Sequence, residues 1–389
     1  MNTCRVTIFG AGATGLGHLG LLLYQCGGVD LCFIEKNREI AERLKQRGAY
    51  QVRLLSLEGG PDQWITVQGV TALGPGDQEA QIKRLVESDL VLTAVIAHNL
   101  GEVAVTLAQA IAARSKAGIV SEMNIVCCEN LDHASSLLQQ QVHQLLSGEQ
   151  RQYAQQYIGF PDCMISRVVP VPASDQLSLV TEDYNEWTVD RSGIRGSFPS
   201  LPCIEVVDNL SARLERKLWI HNGGHATLAY MAAGLGYRYV HEALRDPGVA
   251  GFTLKVLDEI GSCILHKYPE FDEPGIRQYQ ADLGKRGALE AMKDDISRVV
   301  RDPLRKLQPG DRLMAPAIYA ASMGLPCPGL LQSINNAAGY FNPADPQSVE
   351  MRRIIKRDGL DSFFRHTLLG GAHDALADRL MAARPAASI

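Results

Sequence analysis

Along the first half of the chain, short apolar blocks alternate with longer stretches in which apolar residues recur at helical spacing. RVTIF (5–9), LCFIE (31–35), DLVLTAVI (89–96) and MNIVCCEN (123–130) read as strands. HLGLLLYQCG, NREIAERLKQRG and LGEVAVTLAQAIAARSKAG read as helices. In the second of these, Ile40, Ala41 and Leu44 fall on one face, Asn37 is placed to cap the first turn and Gly48 to stop the last. Strands alternating with helices predict a parallel sheet.

The pattern changes near residue 200. VTEDYNEWTVDRSGIRGSFPSLPCIEVVD is rich in turn formers and reads as a connection with some β structure, and from about Asp208 onward the periodicity is helical. The expected architecture is α/β: an N-terminal doubly wound domain over 1–200 and a mostly α-helical domain over 201–389. No internal repeat is visible, and the tail ARPAASI is expected to fray.

Composition narrows the class. A chain of 389 residues is long enough for two cores, and 46% hydrophobic with 6% aromatic residues suits an ordinary globular protein. A net charge of −5 argues against nucleic acid as the main partner. No run approaches the length of a membrane span, and MNTCRVTIFGAGATG enters a strand without the features of a signal peptide. Nine scattered cysteines without a CxxC read as reduced thiols, and the expected location is the cytoplasm. The oligomeric state stays open, a monomer included.

The first strand ends in GAGATGLG. Gly10, Gly12 and Gly15 form GxGxxG between a strand and a helix, and Glu35 closes the next strand twenty residues past Gly15. In such a Rossmann-like turn the first glycine permits the bend, the second lets backbone approach a pyrophosphate, and the third lets helix and strand pack closely. The helix N-terminus then faces the phosphates. Glu35 would accept hydrogen bonds from an adenosine ribose, favouring NAD as cofactor, while Lys36 and Arg38 could tolerate a 2′-phosphate. The plainer alternative is a glycine-rich turn that binds no nucleotide.

KLWIHNGGH (217–225) carries the second concentration of chemistry. At about 100° per residue, Lys217, His221, His225 and Asn222 fall at roughly 0°, 40°, 80° and 140°, on little more than a third of a helix. Oxidising an alcohol needs a base for the hydroxyl proton, and a lysine serves once desolvation or positive neighbours lower its pKa. An amide can donate a hydrogen bond to the alkoxide-like oxygen. Two rivals compete. His221 and His225 have the i, i+4 spacing of a zinc site, but HNGGH lacks the glutamate of HExxH and no third ligand is evident, so no metal is expected. A polar helix face with a satisfied histidine is the other. Against it stand Gly223 and Gly224, which cost the helix on the order of 1 kcal/mol each and imply close approach of a ligand or another backbone.

K-x-x-x-x-N-x-x-H in a helical domain behind a GxGxxG domain resembles the polyol-specific long-chain dehydrogenases, and most closely their mannitol-1-phosphate 5-dehydrogenase branch. The similarity runs through FGAGATGLGHLG, CENLDH (128–133), EDYNEWTVD (182–190), DNLSARLERKLWIHNGGHATLAY (208–230) and RDPLRKLQPGDRL (301–313). It implies that Lys217 is the general base, that Asn222 and Asn130 steady the developing oxyanion, that His225 binds a substrate hydroxyl, and that no metal is needed. The implied reaction interconverts mannitol 1-phosphate and fructose 6-phosphate with NAD, and the implied partner is a small polyol or sugar phosphate. Three departures bear on the substrate: Ser166 where the family commonly has aspartate (SRVVP), Gly223 where it has threonine, and GKRGALEAM (284–292) in place of R-F-x-N-P. Another polyol, a uronate or another sugar phosphate is the second reading, and a dinucleotide-binding regulatory protein without catalysis is the third.

The segment from Arg298 to Arg312 holds five lysines or arginines. Arg305, Lys306 and Arg312 are its candidates for holding a substrate phosphate. The competing reading makes them structural, paired with Asp302 and Asp311.

Overall fold

The computed structural model describes residues 3–171 and 176–384; the last five residues of the tail lie outside them. The chain divides into two compact units, Met1–Arg213 and Leu214–Ile389.

In the first unit six strands form one sheet in the spatial order Thr71–Leu73, Val29–Ile34, Cys4–Phe9, Leu90–Thr93, Met123–Cys127, Ile158–Gly159. Every neighbouring pair is parallel. Counted along the chain within this sheet, the order is 3-2-1-4-5-6, that of a doubly wound Rossmann domain. It reverses between Cys4–Phe9 and Leu90–Thr93, so the topological switch point lies at the carboxyl ends of those two strands, where ligands of such sheets bind.

Successive side chains feed opposite cores. Val6, Ile8, Leu31, Phe33, Leu90 and Leu92 pack on one side; Phe9, Ile34, Val91, Ile125 and Cys127 pack on the other. Both faces are dry, which is why these strands read as continuous apolar runs. Leu16, Leu19 and Leu22 bring the helix after the glycine turn onto the first core, and Val103, Leu107 and Ile111 bring helix Leu100–Lys116 onto the second. Helix Arg38–Arg47 starts and stops as its sequence implies. The Asn37 side chain accepts from the N–H groups of Glu39 and Ile40, and Gly48 takes a left-handed conformation with φ 56°.

Two smaller sheets complete this unit. Ala49–Leu55 pairs antiparallel with Gln63–Gln68 and parallel with Ser178–Glu182. Glu186–Asp190 pairs with Cys163–Ser166 and Glu205–Val207, which gives the turn-rich stretch its β structure.

The second unit is helical, with no named strand among its described residues. Helix Gly223–Leu235 is buried along most of its length and packs on Pro247–Lys267 and Pro328–Gly339. Glycine makes this closeness possible: a Cβ on Gly224 would come within 2.5 Å of Leu257 Cδ2. The hydroxyls of Thr227 and Ser333 meet at 2.8 Å in the dry interior, each satisfying the other.

Candidate active site

The three glycines of the first unit differ in what surrounds them. Gly10 has φ 95°, a region that L side chains rarely adopt. Its N–H donates to Ile34 O at 2.8 Å, tying the turn to the neighbouring strand. Gly12 is exposed and a Cβ there would meet nothing within 4 Å, so its backbone is open to a ligand. A Cβ on Gly15 would lie 2.0 Å from Gly10 O, so strand and helix touch through it. The helix runs on from this turn, with a π turn at Gly15–Gly20 and α geometry from Leu21 to Cys26. An open backbone at a helix N-terminus fits a pyrophosphate.

Glu35 stands at the carboxyl end of the adjacent strand. Its carboxylate accepts from Ala11 N and Asn37 N, both at 2.7 Å, and so braces the glycine turn against the start of the next helix. Two carboxylate oxygens offer about four lone-pair positions, which leaves acceptor capacity for a ribose. Lys36 is engaged elsewhere, donating to Asn99 Oδ1 at 2.7 Å, while Arg38 is exposed.

Further along the same edge, Glu129 follows strand Met123–Cys127. It accepts from the Thr93 hydroxyl (2.7 and 2.9 Å) and from Val95 N (3.0 Å). Burial raises its pKa, against the pull of those hydrogen bonds. Asn130 comes next and is exposed. The strand Cys163–Ser166 ends on buried Ser166, opposite Glu186.

In the second unit Lys217–Asn222 is a π turn that leads into the α-helix Gly223–Leu235, a departure from the uniform 100° spacing expected of the sequence. It still gathers the chemistry. The rings of His221 and His225 lie 6.2 Å apart. Arg286 Nη1 approaches His221 Nδ1 at 3.3 Å. A guanidinium can only donate, so Nδ1 is the acceptor and the imidazole proton sits on Nε2. The His221 pKa is held well below its ordinary value, first by desolvation and then by the positive charges of Arg286, His225, Lys217 and Arg312. His221 is therefore a neutral imidazole within a cationic surround.

His225 has an acidic partner. Its Nε2 lies 2.9 Å from Asp294 Oδ2, and Arg298 Nη2 donates to Asp294 Oδ1 at 2.6 Å. Burial acts to raise the Asp294 carboxyl, but the hydrogen bond and charge of His225, with Arg298, outweigh it and hold the pKa below the ordinary value.

Of the glycine pair, Gly224 is packed against the Leu257 and Leu283 side chains and Gly223 against backbone. A Cβ on Gly223 would come within 2.7 Å of Arg312 O, so the absent side chain admits the 312 backbone beside the lysine turn. A threonine, as in the family pattern, would force that backbone away.

The basic segment after Arg298 is largely committed within the fold. Lys306 is buried and its Nζ donates to Val299 O and Arg301 O. Desolvation, then Arg312 and Arg305, push its pKa down to about 8. Asp311 pairs with Arg305 at 3.4 Å and with Arg312 at 2.6 Å, and Asp302 lies 3.8 Å from Arg305. The structural reading of this segment accounts for these contacts.

Two residues of the helical unit had escaped the sequence. Asp294 sits in KDD, where nothing in the spacing links it to His225. Arg286 lies inside the divergent stretch 284–292, whose departure from the family pattern was the only signal. Among the described residues no three His, Cys, Asp or Glu side chains converge as a metal site would require.

Comparison with known proteins follows the same division. Residues 4–202 match the Mannitol dehydrogenase Rossmann domain and residues 209–366 the Mannitol dehydrogenase C-terminal domain. A solved D-sorbitol dehydrogenase in substrate-free form superposes with a TM-score of 0.83 at 17% identity, covering 98% of this chain and 92% of that one. The Pseudomonas fluorescens mannitol 2-dehydrogenase, solved as a ternary complex with NAD and D-mannitol, gives 0.70 at 17% identity over 98% and 90%. At such identity the likeness is one of fold.

Proposed function

Because the chain belongs to the mannitol dehydrogenase family, we propose that it is a metal-independent, NAD-dependent polyol dehydrogenase that interconverts D-mannitol 1-phosphate and D-fructose 6-phosphate. The observation that carries the reading is the grouping of Lys217, Asn222 and His225 on one helical stretch, with cations around it. The glycine turn supports NAD through the open backbone of Gly12 and the braced carboxylate of Glu35.

In this mechanism NAD, when bound, supplies the hydride acceptor. Lys217 takes the hydroxyl proton as the carbon–hydrogen bond gives up its electron pair. The Asn222 amide, and by resemblance that of Asn130, donates to the oxygen as charge builds on it. His225 receives a substrate hydroxyl and sets the orientation of the carbon chain. In the reverse direction Lys217 must begin protonated, because the ketone oxygen has to receive a proton.

A second reading, oxidation of an unphosphorylated polyol, is favoured by one observation. Lys306 is spent on two carbonyls, and Arg305 and Arg312 share Asp311, so this segment offers a phosphate less than its charge count suggests. NADH oxidation measured against matched ketoses and ketose phosphates decides between them. A large advantage for fructose 6-phosphate over fructose supports the first; equal efficiency supports the second. Tight dinucleotide binding with no turnover of any ketose would instead indicate a regulatory protein.

A further inference from the structure

We infer that Asp294 is a positioning residue, fixing the tautomer of His225 so that Nδ1 is the atom presented to a substrate hydroxyl. The inference rests on the polyol dehydrogenase reading above.

An ionised carboxylate can only accept, so in the neutral ring the 2.9 Å contact puts the single proton of His225 on Nε2. The Nδ1 lone pair is then left to accept from an O–H. Asp294 is itself held firmly. Arg298 takes its other oxygen through Nη2 at 2.6 Å and Nε at 3.2 Å, and its carbonyl accepts from Val240 N at 3.0 Å. Lys293, immediately before it, has φ 46°, a left-handed conformation uncommon for lysine. The chain thus bears local strain where it delivers this carboxylate.

The charges around the His221–His225 pair make the role necessary. Lys217 and His221 lie on its own helical stretch, Arg286 comes from helix Glu273–Gly287, Arg298 from the turn Ile296–Val299, and Arg312 from the segment packed on Gly223. Without the carboxylate, nothing in this cationic set selects one ring nitrogen for the proton. A histidine in the other tautomer would offer an N–H where the substrate offers an O–H, and two donors would oppose each other. Asp294 transfers no proton; it orients the group that touches substrate, as outer carboxylates do for other catalytic histidines.

The test pairs a spectroscopic and a kinetic readout. Long-range ¹H–¹⁵N spectra of histidine-labelled protein, recorded at a pH where the imidazole is neutral and with the His225 signals assigned by His225→Gln, should show Nε2 protonated and Nδ1 bare in the wild type. In Asp294→Asn the spectra should show loss of that single tautomer. With the substrate that turns over best, Asp294→Asn should lower kcat on the order of 10²-fold and move its pH profile, with NADH affinity unchanged. Asp294→Glu, which restores a carboxylate, should recover part of the loss. A wild-type His225 protonated at Nδ1 overturns the inference. So does an Asp294→Asn enzyme with an unmoved pH profile and near-normal kcat. Absence of turnover by the wild type with every polyol and ketose would count against the functional proposal, while the spectra would still decide the role of Asp294.

Discussion

Adding one methyl group to either of two glycines should separate the folding role of the turn from its binding role. In Gly15→Ala the new Cβ would lie 2.0 Å from Gly10 O, whereas real Cβ atoms stay at least 3.0 Å away, so the helix and strand must part by about 1.0 Å (3.0 − 2.0). The obstructing atom is backbone, and Gly10 is itself tied to Ile34 O, so neither side yields easily. Overpacking of this kind costs about 2–3 kcal/mol. For a unit of this size that is a drop of roughly 4–12 °C in Tm. Gly12→Ala meets nothing within 4 Å and should leave Tm unchanged. Its methyl group would stand where a pyrophosphate must approach, so NADH affinity should fall at least about tenfold, or 1.4 kcal/mol. Thermal melts and NADH fluorescence titration read the two effects separately. If Gly12→Ala binds NADH as the wild type does, or if Gly15→Ala melts at the wild-type temperature, the argument from steric room is wrong.

Lys217→Ala should remove most of kcat while NADH affinity holds; near-normal kcat with an unaltered pH profile would make the lysine structural. Lys306→Met strands the carbonyls of Val299 and Arg301 and should cost about 2–3 kcal/mol in denaturant melts without changing any preference for phosphorylated substrate; a selective loss of that preference would restore Lys306 as a phosphate ligand. Because the folded-state pKa of His221 lies below 6.5, the unfolded chain binds its proton first as pH falls. The stability contributed by His221 is therefore complete above pH 6.5 and declines below it, by about 1.4 kcal/mol per pH unit at most. Unfolding titrations at pH 7 and 5.5 should show a smaller difference in His221→Gln, and an equal difference would contradict the assignment. Glu35→Ala should narrow the preference for NAD over NADP in kinetics with both cofactors, and an unchanged ratio would remove Glu35 from ribose recognition.

The parallel sheet was legible because its strands are buried on both faces and its helices are amphipathic, so burial alone writes the pattern. Asn37 and Gly48 could be placed by capping chemistry that operates within a few residues. The antiparallel pair Ala49–Leu55 and Gln63–Gln68 went unread because its exposed positions interrupt the apolar run, and the three-residue strand Thr71–Leu73 has no period to show. The π turn was invisible for a different reason: its composition is that of an α-helix, and only the packing of neighbouring groups reveals it. Asp294 lies sixty-nine residues from His225 (294 − 225), and no local rule reaches that far. The five cations from Arg298 to Arg312 show the reverse case, where a charge run suggested a ligand and most of its charge is satisfied by the chain itself.

Both stretches that carry the proposed chemistry contain the same irregularity, a π turn, at Gly15–Gly20 and at Lys217–Asn222. Such a turn amounts to a residue spliced into an α-helix. The helix keeps its ordinary phase on either side, but the two phases no longer match. Laying this stretch on an uninterrupted α-helix straight through Asn222 would therefore assign inward-facing identities to outward-facing residues, unless one place is skipped. For redesign, the two turns are points where a single-residue deletion would return the helix to regular α geometry while the stretches on either side keep their faces.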